Sequence, residues 1–209
     1  MYRNIIWDLD GTLFDTYPAF TNAFSQAVKA QGATIPLNTI SKLARVSLSD
    51  CAETLARRYQ LDSDRLMADF GRFYAGIPYT NQPPFPGARQ VCEHVLAAGG
   101  INVIVTHRSN SSTAGLLATH KMEVYFTAMV TAESGFPRKP DPAAFQEMIR
   151  VHNLKHDETL AVGDREIDIL AGNAARVHTC LFGNAEIQAR ADMHITTFSQ
   201  LLENLNQDT

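Results

Sequence analysis

The sequence predicts an α/β chain, a doubly wound parallel sheet interrupted by a helical insertion. Three observations carry this expectation. From residue 87 onward short apolar runs alternate with helical stretches, the rhythm of a parallel sheet with helices on both faces. A first apolar run at 4–7 is separated from the next by nearly a hundred residues that read as helix. The segment 81–87, Asn-Gln-Pro-Pro-Phe-Pro-Gly, ends that helical part with three prolines and a glycine, the composition of a linker.

Asn4-Ile5-Ile6-Trp7 is a short apolar run that stops at Asp8 and reads as a buried strand feeding a loop, with Trp7 in the core. Residues 17–31 place Phe20, Phe24, Ala27 and Val28 near helical spacing, and Gly32 ends the stretch. Residues 37–75, rich in Ala, Leu and Arg, read as further helices. After the linker, 87–98 is a helix stopped by Gly99-Gly100, and 101–105 is a strand. A helix at 111–119, a strand at 128–130 and a helix at 141–152 follow. The chain then reads strand 160–162, helix 166–175, strand 177–182 and a last helix at 197–205.

At 209 residues the chain is long enough for between one and two domains. With 45% hydrophobic and 19% charged residues it can bury a sizeable core, which excludes a disordered chain. A net charge of −4 gives no reason to expect a nucleic-acid partner. A run of about 18 apolar residues, as a membrane helix needs, is absent. Arg3, Asn4, Asp8 and Asp10 interrupt any secretory pattern. Cys51, Cys92 and Cys180 are widely spaced, without a CxxC, and read as buried thiols in a reducing compartment. The expectation is a cytoplasmic monomer, since no amphipathic seam is left over, with neither nucleic acid nor membrane as partner.

Four loop segments carry the chemistry. In Asp8-Leu9-Asp10-Gly11-Thr12 two carboxylates two residues apart can address one site. Such a pair needs a cation, or one member must hold a proton, and Gly11 lets the chain turn. The spacing does not fit a calcium loop, because Leu13 and Ala19 stand where Gly and Glu would be required. Thr106-His107-Arg108-Ser109 follows a strand and offers a hydroxyl and backbone N–H groups to an anion. In Arg138-Lys139-Pro140-Asp141-Pro142, Pro140 keeps Lys139 extended on a stiff loop, and the lysine becomes a positioned charge. In Gly163-Asp164-Arg165-Glu166-Ile167-Asp168 the two aspartates are one helical turn apart and can share a face.

In this order the four segments resemble the signature of the haloacid dehalogenase-like superfamily: D-x-D-G-T, a Ser/Thr, a Lys, then G-D-x-x-x-D. The resemblance covers essentially the whole chain and implies a Rossmann-like core, residues 1–15 and 83–209, with an inserted helical cap, 16–82. The cap places the chain near the phosphoglycolate phosphatase and β-phosphoglucomutase branch. The resemblance implies a Mg2+-dependent phosphatase for a small-molecule phosphomonoester. Asp8 is then the nucleophile that becomes an aspartyl-phosphate, and Asp10 the general acid and later the base. Magnesium takes the Asp8 and Asp164 side chains and the Asp10 backbone carbonyl, with Gly11 and Asp168 in support. Thr106 and the N–H of His107 hold phosphate, and Lys139 neutralises its charge. The cap is expected to close over the substrate and exclude water.

Two departures matter. The family often has Asn where His107 stands, a change that spares the backbone N–H. His107 and Arg108 then either add positive charge at the mouth of the site or simply face solvent. Ala44 and Leu48 stand where the mutases carry a lysine and an arginine, which counts against a sugar phosphomutase. A dehalogenase is disfavoured by Asp10. A non-catalytic binding protein on the same scaffold is opposed by the intact set Asp8, Asp10, Lys139 and Asp164.

Overall fold

The computed structural model describes residues 2–183 and 186–207. The chain divides into two compact units, Met1–Phe14 with Pro84–Thr209, and Asp15–Pro83.

In the first unit six strands form one parallel sheet among the described residues: β1 (Asn4–Trp7), β2 (Asn102–Val105), β3 (Phe126–Val130), β4 (Thr159–Gly163), β5 (His178–Phe182) and β6 (Met193–Ile195). Their order is β3-β2-β1-β4-β5-β6. β1 pairs Ile6 with Val103 on one side and with Ala161 on the other. Central parallel strands are buried on both faces, which is why they read as continuous apolar runs. On one face Ile6, Val103, Val105 and Ala161 pack with Phe145, Met148 and Ile149 of α7 (Ala143–Val151) and Ala171 of α8 (Glu166–Ala174). Elsewhere Trp7 meets Phe198 edge-on and Phe182 stacks on Phe198, at the start of α9 (Phe198–Gln207). The buried indole N–H of Trp7 donates to Asn102 Oδ1 at 2.9 Å, so its polar edge is satisfied across the sheet. Among the described residues this unit also holds the α-helices α5 (Ala88–Ala97) and α6 (Asn110–Thr119).

The second unit is helical: α1 (Tyr17–Ala30), α2 (Leu37–Val46), α3 (Leu48–Tyr59) and α4 (Ser63–Ala75). Its core gathers Phe20, Phe24, Ile40, Cys51, Leu55, Leu66 and Phe70, with Phe24 stacked on Phe70 at 4.2 Å. The further helices expected over 37–75 are three. Ser47 accepts the Asp50 N–H and Asp62 accepts the Arg65 N–H, so each side chain caps a new helix start. Ala44 is buried in this core and Leu48 packs against it.

The three cysteines are buried free thiols. No described helix is long and apolar enough to cross a membrane.

Candidate active site

At β1 the strand order reverses, with β2 and β3 on one side and β4 to β6 on the other. In open parallel sheets ligands bind outside the carboxyl ends of the strands at such a switch point. Asp8 follows β1, Thr106 follows β2 and Asp164 follows β4.

Asp8 is held by its own backbone, whose N–H donates to Val162 O at 2.8 Å. The chain then turns back on itself. Gly11 N–H donates to Phe14 O and Phe14 N–H to Leu9 O, a fold that requires the positive φ of +84° at Gly11. The turn brings the Thr12 hydroxyl to 3.3 Å from both Asp8 Oδ2 and Asp164 Oδ1. One hydroxyl carries one proton and can serve only one of these carboxylates at a time.

Lys139 is buried. Its ammonium lies 2.5 Å from Asp8 Oδ1, 2.6 Å from Asp168 Oδ1 and 3.0 Å from Val105 O. It donates hydrogen bonds to Asp8 and to the Val105 carbonyl, and it is ion-paired with Asp168. The Lys139–Pro140 peptide is cis. Asp168 sits in the first turn of α8, where Oδ2 accepts the Arg165 N–H at 3.1 Å. It thus caps the helix and grips Lys139 at once. Gly163 makes this approach possible, for a Cβ there would lie 2.2 Å from the Asp168 Cβ.

Burial pushes the Asp8 carboxyl up to about 6. The Lys139 ammonium opposes that rise, Asp168 adds to it and Arg165 opposes it. Burial alone would lower Lys139, but Asp168 and then Asp8 outweigh it and hold the ammonium above its ordinary value.

The segment after β2 is not the solvent-facing polar pair that its position at a helix start allows. Thr106 is buried, and its hydroxyl oxygen accepts the Arg108 N–H at 3.1 Å, which leaves its proton available to an anion. The His107 ring turns toward the lysine loop, and Nε2 accepts the Lys139 backbone N–H at 2.8 Å. Burial pushes His107 down to about 3, helped by the cations Lys139, Arg138 and Arg165. The ring is therefore neutral, with its proton on Nδ1. Arg108 is buried and pairs with Asp10, Nη1 to Oδ1, at 2.6 Å. Its Nε donates to Ser112 Oγ at 2.9 Å.

The structure brings Asp8, Asp164, Asp168, Lys139 and Thr12 into direct contact, and Asp10 lies with Arg108 on the same loop system. Thr12 and Ser112 were not singled out as site groups from the sequence, and Arg108 was raised only as positive charge at the mouth of the site or a solvent-facing residue, its partner unnamed. Thr12 carried a signal, as the last residue of the D-x-D-G-T run. The Arg108–Asp10 pair spans 98 residues of chain, a separation that no local pattern reports.

Asp8, Asp164 and Asp168 present carboxylate oxygens within 4.8 Å of one another. An all-oxygen anionic set suits a hard divalent cation. Asp8 and Asp164, facing each other across a single hydroxyl proton, are the pair such an ion would relieve. Asp168, already committed to Lys139 and to the helix start, is not.

Comparison with known proteins agrees with this geometry. The family profile described as haloacid dehalogenase-like hydrolase matches residues 5–182. A phosphoglycolate phosphatase of Nitrosospira multiformis is 30% identical over 188 residues, 84% of this chain and 81% of that protein. The crystal structure of a hydrolase from Streptococcus pneumoniae TIGR4 is 29% identical, covers 98% of both chains and superposes with a TM-score of 0.70. A haloacid dehalogenase superfamily hydrolase of subfamily IA from Geobacter sulfurreducens shares the fold, with a TM-score of 0.76 at 19% identity over 98% of this chain and 96% of that one. With the signature residues gathered at the switch point of a parallel sheet and the profile matched across both units, the chain belongs to the haloacid dehalogenase-like hydrolase family and is a hydrolase.

Proposed function

We propose that this hydrolase is a magnesium-dependent phosphatase that cleaves a small phosphomonoester through an aspartyl-phosphate on Asp8. The observation that carries the reading is the buried contact of Asp8 with Lys139, which Asp168 and Val105 hold in place. A carboxylate nucleophile must meet an anionic substrate, and the ammonium lowers the electrostatic cost of that meeting.

Magnesium held by the Asp8 and Asp164 side chains and the Asp10 backbone carbonyl would supply charge neutralisation for nucleophile and phosphate together. The chain's own groups do the rest. Asp8 attacks phosphorus and the bond to the leaving oxygen breaks. Asp10 gives that oxygen a proton, then takes one from the water that cleaves the acyl-phosphate. Thr106, whose proton is not used within the protein by the Arg108 contact, donates to a phosphate oxygen, as does the N–H of His107. Lys139 is held by Asp8, Val105 and Asp168 before substrate arrives. It reaches phosphate by exchanging its Asp8 contact, while Asp168 and Val105 keep it in place. Asp168 thus supports the site through the lysine.

The curated relative from Nitrosospira multiformis is named for phosphoglycolate, which makes a small carboxylated phosphomonoester the first substrate to try. The mutase alternative is disfavoured, because Ala44 is part of the helical core and Leu48 packs on it, so neither supplies a cation for a second phosphate.

The test is phosphate release from a panel of small phosphomonoesters, phosphoglycolate included, with magnesium and with chelator, for the wild type and Asp8→Asn. Release that requires magnesium and disappears in Asp8→Asn is the expected result. Release that persists in Asp8→Asn would overturn the nucleophile assignment. No release from any ester would overturn the phosphatase reading.

A further inference from the structure

We propose that Arg108 is a positioning residue for proton transfer: it fixes the Asp10 carboxylate so that one oxygen, Oδ2, faces the leaving group. The inference rests on the phosphatase reading above and adds a residue to it.

The geometry is that of a brace. Arg108 is anchored at three places. Its N–H donates to Thr106 Oγ1 at 3.1 Å, and its carbonyl accepts the Ala132 N–H at 2.9 Å. Its Nε donates to Ser112 Oγ at 2.9 Å, one turn into α6. From this fixed base Nη1 reaches Asp10 Oδ1 at 2.6 Å. The planar guanidinium transmits direction as well as charge, because its donors keep fixed angles to one another. The Ser112 hydroxyl at Nε holds the guanidinium plane, and from that plane Nη1 donates to Asp10 Oδ1.

Burial argues that the pair is more than a surface contact. The Arg108 side chain is 5% exposed and that of Asp10 19%. Removing a guanidinium from water is costly, and apolar residues of similar volume often serve stability as well or better. A cation retained here beside the acid–base carboxylate serves orientation. With Oδ1 committed to Arg108, Oδ2 is the oxygen left to serve proton transfer. In the first half-reaction the Asp8–phosphorus bond forms, the phosphorus–oxygen bond breaks, and the leaving oxygen takes the Oδ2 proton. Asp10 is left as a carboxylate, its Oδ1 on Arg108.

Leaving-group chemistry tests this directly. A nitrophenolate departs without a proton, whereas an alkoxide does not. A misdirected Asp10 therefore slows transfer from an alkyl ester and spares the aryl ester. The experiment is rapid-quench measurement of alcohol or nitrophenol release in the first turnover, at saturating magnesium. It uses p-nitrophenyl phosphate and whichever alkyl monoester of the panel the wild type cleaves fastest. The variants are Arg108→Met, Arg108→Lys and, to avoid relying on a folded cavity, Ser112→Ala, each checked by thermal melting.

General acid catalysis contributes about 10²-fold or more. Arg108→Met is expected to lose on that order with the alkyl ester and much less with the aryl ester, with KM nearly unchanged. Arg108→Lys, a point charge without the fork, is expected to fall between, and Ser112→Ala to show the same preference in smaller degree. Equal loss on both esters, a loss confined to KM, or no loss in any variant would each overturn the proposal while leaving the phosphatase reading intact. A wild type inactive on every ester would overturn both.

Discussion

Single side chains in this site are specified by what they cannot do as much as by what they touch. His107 cannot take up a second ring proton, because burial and three neighbouring cations push it down to about 3. It is left as an acceptor, and the donor it serves is the backbone of Lys139. Replacement by Phe removes the acceptor and leaves that N–H unserved, a loss of about 1–3 kcal/mol for a buried group. His107→Phe is therefore expected to lower the melting temperature and reduce kcat through a displaced Lys139. His107→Asn, which keeps an acceptor, should retain more of both. Steady-state kinetics and thermal melts on the two variants decide it, and equal behaviour would refute the role. The residue types at Asp8, Asp10, Thr106, Lys139 and Asp164 were legible because each lies in a short motif with its own chemical logic. The ring direction of His107 and the partner of Arg108 were not. Sequence gives a side chain's capacity, and the choice between solvent and a neighbour is made by elements that pack from far along the chain.

The elements position these groups through close backbone approach. β4 ends at Gly163, and α8 begins three residues later, at Glu166. Asp168 stands so near Gly163 that a methyl would overlap its Cβ at 2.2 Å. Gly163→Ala should push α8 off the strand end and draw Asp168 away from Lys139. Overpacking of this kind costs about 1–3 kcal/mol. The expected result is a lower melting temperature together with a fall in kcat, read by calorimetry and by initial rates. A variant with normal activity would show that Asp168 is not needed to hold the lysine. The strand–helix alternation that delivers these ends was legible, since the central parallel strands are apolar runs and most of the helices have a periodic face. One element went unread, and the bounds of others were not set, for physical reasons. β6, Met193-His194-Ile195, has three residues and one β-branched side chain, too little pattern to register. The 37–75 stretch reads as several helices without internal bounds, because its breaks, at Ser47 and Asp62, are made by capping side chains and not by proline or glycine.

At the scale of the whole molecule the site's charges set how stability depends on pH and metal. Asp8 is pushed up to about 6 from an ordinary 3.8, so the metal-free folded protein holds a proton that the unfolded chain releases. Its contribution is fully present below pH 3.8 and lost as pH rises through about 6. His107 runs the other way. With the folded value near 3 against an ordinary 6.5, its contribution is present above pH 6.5 and lost as pH falls. The two slopes oppose between these limits and flatten the metal-free profile. Above pH 6.5 only the Asp8 penalty remains, and a divalent cation that requires the ionised carboxylate removes it. Magnesium at a hundredfold its Kd stabilises a protein by about 2.7 kcal/mol, roughly 5–10 °C for a chain of this size. Below pH 6 a proton competes for Asp8, and affinity should fall about tenfold per pH unit where one proton is displaced. Melting curves at one fixed magnesium concentration, against chelator, should therefore show a shift at pH 7.5 about twice that at pH 5. Asp8→Asn should melt higher than the wild type at pH 7.5 without metal, because the buried charge is gone, and should gain little from magnesium at either pH. A magnesium shift independent of pH would mean that the ion does not bind against the Asp8 carboxylate. An Asp8→Asn protein less stable than the metal-free wild type at pH 7.5 would mean that the Lys139 contact outweighs the burial of the charge.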